Sequence, residues 1–236
     1  MPRRVHVEAV THGEIAISEQ ETHHLRDVLR LREGAMVQVF DDTGRVAEAT
    51  LHFRGQMAIA RVQSLAEAPH SKCQIVVASA MPKGNRADWM IEKLSELGVH
   101  IFIPMINERS VVLAEGKNKL ERWRRIATEA AKQSHRSGVM RIESVQPLAT
   151  VMQSAATHGT CWQLSTDAVA TPIINLPQPP EGCLTVFIGP EGGWSEEETA
   201  HFQKAEIPAV SLGKTILRIE TAAVAAAAIL GAHFDC

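Results

Sequence analysis

Two rhythms of apolar and polar positions divide the chain. Through residue 65, apolar residues alternate with polar ones or fall in short runs broken by turn residues, the mark of half-buried strands. Segments 5–7, 14–17, 36–40, 45–53 and 57–65 fit that pattern. Asp41-Asp42-Thr43-Gly44 and Arg54-Gly55-Gln56 supply the turns between the last three. Ser18 followed three residues later by Glu21 has the form of a capping box. It predicts a short helix with Leu25, Val28 and Leu29 on one face, ended by Glu33-Gly34. Several short strands with tight turns predict a small β-barrel over residues 1–70. Ala68-Pro69-His70-Ser71 reads as the linker that follows.

Beyond residue 72 the rhythm changes. Segment 74–80 is a continuous apolar run, as in a strand buried on both faces. A helix is predicted over 87–97, with Met90, Leu94 and Leu97 in one stripe and Gly98 as its stop. A strand at 99–104 leads to a long helix at 118–136. Leu120, Trp123, Ala127 and Ala130 form its apolar side, and Arg122, Arg125, Glu129, Lys132 and Arg136 step along the other. A helix at 148–156 and strands at 160–164 and 184–188 come next. A helix over 195–205 carries a second capping-box pattern, Ser195 to Glu198. A strand at 209–212 and an alanine-rich helix at 220–232 complete the series. The alternation predicts an α/β domain with a parallel sheet over residues 71–236.

Composition narrows the partners. At 45% apolar and 22% charged the chain is an ordinary globular protein, and no apolar run approaches the ~20 residues needed to span a bilayer. Cys73, Cys161, Cys183 and Cys236 lie far apart, with no C-x-x-C. That argues against a zinc ribbon or a disulfide framework and fits a reducing, cytoplasmic setting. The absence of tyrosine and the 4% aromatic content argue against a stacking surface built on interleaved aromatics, as in an RRM. A net charge of −3 looks like a poor match to a polyanion. The charge is uneven, however. Residues 117–141 hold eight basic and two acidic side chains, whereas 142–236 hold three and ten. The basic helix is therefore either a solvated face or a surface for a phosphate backbone.

Three loops carry candidate chemistry. Ile188-Gly189-Pro190-Glu191-Gly192-Gly193-Trp194-Ser195 joins a buried strand to a capped helix. The C-terminal edge of a parallel sheet is where ligands bind, and glycines let backbone come close to them. The alternative is a tight turn with no ligand. Neither Gly-x-x-x-x-Gly-Lys-Ser/Thr nor Gly-x-Gly-x-x-Gly occurs, so the familiar nucleotide-phosphate loops lack support. In Leu212-Gly213-Lys214-Thr215-Ile216-Leu217-Arg218-Ile219-Glu220, the apolar Ile216 and Leu217 either line a pocket for a flat apolar group or plug the core. Arg218 stands at a helix start, against the dipole, and so needs an outside partner. Asn107-Glu108-Arg109-Ser110 follows another strand end. The histidines are scattered, and no metal site is expected.

In order along the chain, these segments resemble the RsmE family of SPOUT-class RNA methyltransferases. The likeness rests on His24-Leu25-Arg26-Asp27-Val28-Leu29-Arg30-Leu31, Met81-Pro82-Lys83, Ile91-Glu92-Lys93-Leu94-Ser95-Glu96-Leu97-Gly98-Val99 and Glu108-Arg109-Ser110-Val111-Val112. It continues in Lys119-Leu120-Glu121-Arg122-Trp123, Glu129-Ala130-Ala131-Lys132-Gln133-Ser134, Gly189-Pro190-Glu191-Gly192-Gly193 and the loop from Leu212 to Ala222.

The resemblance implies a PUA-like barrel over 1–70 and a SPOUT domain over 71–236 with a deep C-terminal trefoil knot. It implies a homodimer that takes a methyl group from S-adenosylmethionine, leaving S-adenosylhomocysteine. The acceptor it implies is N3 of one uridine in small-subunit (16S) ribosomal RNA, met as naked RNA or in the subunit. Carried over by position, Leu164, Ile188, Gly189, Gly193, Leu212, Gly213, Ile216 and Leu217 hold the donor. Arg109, Glu129, Gln133 and Arg218 sit near the target base. The RNA-binding set is Arg26, Arg30, Lys83, Arg122, Arg125, Lys132 and Arg136. No metal and no membrane is implied. The sequence departs from the family in the run Lys132-Gln133-Ser134-His135-Arg136-Ser137, where members usually continue Glu-Gln-Ser-Gly/x-Arg, and at the N-terminus, where Val5-His6 replaces the usual aromatic after the arginines. The competing reading is a non-catalytic RNA-binding protein on a degenerate scaffold of the same kind.

Overall fold

The computed structural model describes residues 2–67, 73–110, 117–157, 159–167, 169–177, 179 and 181–233. The linker at 68–71, Val111-Val112 and Cys236 lie outside them. The chain forms two compact units, Met1–His70 with Ala131–Val139, and Ser71–Ala130 with Met140–Cys236.

The first unit holds a five-stranded sheet. Its strands are β1 (Arg3–His6), β2 (Glu14–Ala16), β3 (Met36–Phe40), β4 (Arg45–Arg54) and β5 (Met57–Glu67), in the order β1-β3-β4-β5-β2. Only β1 and β3 pair in parallel. Alternation explains the core: Val37, Val39, Ala49 and Leu51 are fully buried, and Val5, Leu25 and Ala60 join them. Asp41 anchors the β3–β4 turn. Its carboxylate accepts bonds from Val10 N (2.8 Å), Thr43 N (2.9 Å), Thr43 Oγ1 (2.7 Å) and Arg45 N (3.2 Å).

Helix α1 (Glu19–His23) has Ser18 at its N-cap, with Ser18 Oγ accepting from Glu21 N at 3.3 Å; this is half of the expected capping box, because the Glu21 carboxylate turns to Lys132 instead. It then widens into a π turn over His24–Val28, closed by Leu29 N to His24 O at 2.9 Å. The wider turn corrects the expected apolar face. Leu25 is buried and Leu29 packs beside it, but Val28 swings out to 60% exposure.

The end of helix α3 (Lys117–Gln133), from Ala131, and the segment after it to Val139 belong to this unit. Arg4, 8% exposed, lies over the Phe40 ring (4.2 Å) and reaches Ala131 O at 3.4 Å. Lys132 Nζ pairs with Glu21 Oε2 at 2.6 Å, both side chains largely buried. His135 takes a left-handed φ of 57° where the helix has ended. The basic stripe expected through residue 136 is thereby corrected. The helix stops at Gln133, and Arg136 is drawn inward, its pKa lowered to about 10 by burial.

The second unit is the α/β domain. Its strands are β6 (Cys73–Ser79), β7 (Ile101–Ile106), β8 (Arg141–Ile142), β9 (Gln146–Pro147), β10 (Gly159–Leu164), β11 (Thr171–Pro172), β12 (Gly182–Ile188) and β13 (Ala209–Ser211). They run β11-β13-β10-β12-β6-β7-β8, with β9 also on β7, and every pairing is parallel. The two-residue strands β8, β9 and β11 are too short to show a period in sequence. The central strands β6 and β12 are apolar on both faces. Ile75, Val77, Leu184, Val186 and Phe187 are fully buried, and each contributes roughly 1.5–3 kcal/mol.

Helices α2 (Arg86–Glu96), α4 (Leu148–Ala156), α5 (Glu196–Lys204) and α6 (Ile219–His233) complete the unit. The alanine-rich α6 buries Ala223, Ala226, Ala227 and Leu230, and it packs on α2 and β6. Its small side chains let the helices approach closely. Residues 221, 224, 225 and 228 form a partly exposed stripe on the other side.

Candidate active site

Because the sheet is parallel, its strand ends share one edge, and the three candidate loops lie along it. Strand β10 runs between β12 and β13. Leu164 closes β10 and Ile188 closes β12, while Leu212 and Gly213 follow β13 directly. The structure thus gathers Leu164, Ile188, Gly189, Gly193, Leu212, Gly213, Ile216 and Leu217 at the ends of three neighbouring strands.

Trp194 ties this group together. Its Nε1 donates to Leu164 O at 2.9 Å, and its ring meets Phe202 edge-on at 4.8 Å. A Cβ on Gly189 would stand 3.0–3.3 Å from the Trp194 ring. Glycine at 189 is therefore explained by the tryptophan, while Gly193 is required by its φ of 70°. Ile216 is 83% exposed, which rules out the reading that it plugs the core. Leu217 is half-buried. A Cβ on Gly213 would meet nothing within 4 Å, so the loop faces open space.

Arg109 approaches the glycine loop from the end of β7. Its Nη1 donates to Gly192 O (2.9 Å) and Trp194 O (3.2 Å). Among the described residues Nε and Nη2 have no partner. The loop under it is a tight turn: Asn107 N donates to Ser110 Oγ (2.9 Å) and Ser110 N to Asn107 O (3.0 Å). The capping box on α5 forms as expected, with Glu198 N to Ser195 Oγ at 3.2 Å and Ser195 N to Glu198 Oε2 at 2.9 Å. The other oxygen of Glu198 was not foreseen. It accepts from Glu108 N (3.0 Å) and Asn107 Nδ2 (3.3 Å).

Arg218 is exposed immediately before α6, its carbonyl accepting from Ala222 N at 2.8 Å. Glu220 is buried and meets Arg86 Nη1 at 3.3 Å, and that same nitrogen reaches Glu191 at 3.4 Å. Met81-Pro82-Lys83, Ser110, Pro190-Glu191 and Ile219 line a small cleft at this edge, with Lys83 exposed. The Cys161 thiol is pushed up to about 11 by burial and offers no thiolate nucleophile at neutral pH. Among the described residues no cluster of His, Cys, Asp and Glu could hold a metal, and no helix is long and apolar enough to cross a membrane.

The remaining candidates lie on α3 and in the first unit. On α3, Arg122 is held by Asp88, which also accepts from Trp123 Nε1 at 3.0 Å, whereas Arg125 and Glu129 are exposed. Gln133, Lys132 and Arg136 fall in the first unit. So do Arg26 and Arg30. Arg26 lies over Phe53 and bonds Gly55 O (2.9 Å) and Gln56 (3.0 Å), and Arg30 is exposed with a φ of 53°. The sequence places Trp194 and Asn107 in candidate loops and Glu198 in a capping box without giving any of them a role at the site, and it does not mark Arg86.

The strand-end edge of a parallel α/β sheet with glycine loops is a place where ligands bind, and known sequences give this one a class. Residues 69–231 match the RNA methyltransferase domain family, and residues 17–52 match the RNA methyltransferase PUA domain. Ribosomal RNA small subunit methyltransferase E of Bacillus subtilis is 31% identical over 220 residues, covering 88% of this chain and 85% of that protein. The protein of the same name from Synechocystis is 31% identical over 97% of this chain and 76% of its own length. A crystal structure of ribosomal RNA small subunit methyltransferase E from Neisseria gonorrhoeae bound to S-adenosyl methionine superimposes with a TM-score of 0.87. It is 28% identical, with 98% of each chain covered. The chain belongs to the ribosomal RNA small subunit methyltransferase E family.

Proposed function

We propose that the protein transfers a methyl group from S-adenosylmethionine to N3 of one uridine in 16S ribosomal RNA. The observation that carries this reading is the convergence of Arg109, the glycine loop and the Ile216–Arg218 loop at one edge of the parallel sheet. The residues present fit the donor. Gly213 borders open space and Ile216 is an uncovered apolar side chain, as a flat adenine requires. Leu164, Ile188, Gly189, Gly193, Leu212, Gly213, Ile216 and Leu217 would hold it. When bound, the donor supplies an electrophilic methyl on a sulfonium centre.

The chain's own groups then have three tasks. Loop residues hold the reactants in line, because an in-line displacement depends mainly on positioning. N3 of uridine is a weak acid and must lose its proton to become a nucleophile. A carboxylate, Glu129 in this reading, takes that proton. Arg109 and Arg218, with Gln133, stabilise the anion that remains. The donors left on Arg109 Nη2 and Nε suit that role.

Arg26, Arg30, Lys83, Arg122, Arg125, Lys132 and Arg136 make up the proposed RNA-binding set, on a PUA-like barrel and the basic helix. Arg30, Lys83, Arg122 and Arg125 are its exposed members. The reading includes a cytoplasmic homodimer, with the partly exposed stripe of α6 at its seam, and a trefoil knot in the C-terminal loops. Small ribosomal subunits from cells lacking the modification, incubated with purified protein and labelled donor, are expected to accept label. Arg218→Ala is expected to cut turnover while leaving the oligomeric state unchanged. Label transfer at the wild-type rate by that variant would remove Arg218 from the mechanism.

A further inference from the structure

Glu198 does more than cap a helix. In a capping box the glutamate at the third helical position reaches back to the N-cap backbone N–H, which needs only one of its oxygens. Here Glu198 is 7% exposed, and its second oxygen is spent on a loop ninety residues away in sequence. Burying a carboxylate is costly unless its oxygens are matched by donors. Three donors match this one: Ser195 N (2.9 Å), Glu108 N (3.0 Å) and Asn107 Nδ2 (3.3 Å).

These bonds close a circuit. From Glu198 Oε1 it runs to Glu108, and along the chain to Arg109. The Arg109 guanidinium then crosses to Gly192 O and Trp194 O. From Trp194 the chain leads to Ser195, whose N–H returns to Glu198 Oε2. The circuit joins the loop after β7 to the glycine loop after β12. It fixes Arg109 at both ends, its backbone through Glu198 and its guanidinium through the glycine loop. A charged side chain with five donors would otherwise sample many rotamers from an exposed turn.

We infer that Glu198 is a positioning residue for the methyl-transfer reaction, holding Arg109 against the glycine loop. The inference rests on the proposed role of Arg109. An amide at this position turns its N–H group either toward Ser195 N or toward Glu108 N and Asn107 Nδ2, so Glu198→Gln must break one side of the circuit. Ser195→Ala removes only the Ser195 Oγ bond to Glu198 N and leaves the carboxylate's three bonds in place.

The test compares Ser195→Ala, Glu198→Gln, Arg109→Ala and the Glu198→Gln/Arg109→Ala double variant. Each is measured for kcat and KM on small ribosomal subunits and for amide hydrogen exchange. Glu198→Gln is expected to lower kcat by about tenfold or more with little change in KM. It should also speed exchange at the Glu108 amide. Ser195→Ala should do neither, though both variants lose thermal stability. Glu198→Asp, which keeps the charge on a shorter arm, should restore part of kcat. In the double variant the Glu198 change should cost nothing beyond Arg109→Ala, because positioning a missing side chain has no value. A double variant slower than Arg109→Ala by the full Glu198→Gln factor would overturn the inference while leaving the proposed function intact. So would a Glu198→Gln enzyme no slower than Ser195→Ala. An Arg109→Ala enzyme at the wild-type rate would remove Arg109 from the mechanism and the inference with it.

Discussion

At the scale of single residues, Asp41 shows how a turn residue becomes a stability determinant. Burial is the largest influence on its carboxyl and raises its pKa. Bonds from Val10 N, Thr43 Oγ1, Thr43 N and Arg45 N together outweigh it and hold the carboxyl below the usual aspartate value of 3.8. A folded-state pKa below the unfolded one means that the stabilisation is fully present above pH 3.8 and fades as pH falls through the depressed value. Asp41→Asn is expected to lose about 1–3 kcal/mol at pH 7. In urea titrations its difference from wild type should shrink steadily in acid; a difference independent of pH would contradict this account. Gly189 gives a second test. The added methyl of Gly189→Ala meets the Trp194 ring at 3.0 Å, which should displace the indole from Leu164 O. Calorimetry should find donor binding weakened by about tenfold or more, the effect of about 1.4 kcal/mol or more in one loop. The sequence marked both residues as turn formers. It could not show that Gly189 answers to a tryptophan five positions later, because that contact depends on how the indole folds back.

At the scale of elements, apolar periodicity carried far. The strand at 36–40 and the helix at 148–156 appear with the expected bounds. The long helix and the central strands of the parallel sheet appear within a few residues of theirs. Two kinds of feature escaped. A π turn leaves no periodic signature, so Val28 was assigned to the wrong side. A charge pattern, for its part, does not say where a helix ends, so the basic stripe was drawn too long. The basic residues of this region now divide by environment. Lys132 is in a buried pair with Glu21, and Arg125 is exposed. Lys132→Ala is expected to destabilise the protein by about 2–3 kcal/mol, since it strips a buried carboxylate of a partner. Arg125→Ala should leave stability within about 0.5 kcal/mol of wild type. It should weaken RNA binding and lower the salt slope by about 1. Thermal unfolding and filter binding at several salt concentrations separate the two. Equal effects of both variants on stability would refute the division.

At the scale of the whole molecule, a chain of net charge −3 meets a polyanion through local surfaces: eight basic side chains stand against two acidic over 117–141, and only three basic side chains follow residue 141. The α/β character and the position of the loops at the sheet edge were legible because strand ends and glycines are local signals. The circuit through Glu198 and Arg109 was not, because it joins segments ninety residues apart through side-chain hydrogen bonds. The central claim is that this edge methylates one uridine of 16S ribosomal RNA at N3. The most direct measurement is a mass-spectrometric map of modified nucleosides in 16S RNA from cells lacking the protein, before and after incubation with the purified enzyme and donor. A single N3-methyluridine should be missing from those cells and return at the same position on incubation. An unchanged map in the deletion cells, or methylation at another atom or another RNA, would contradict the account.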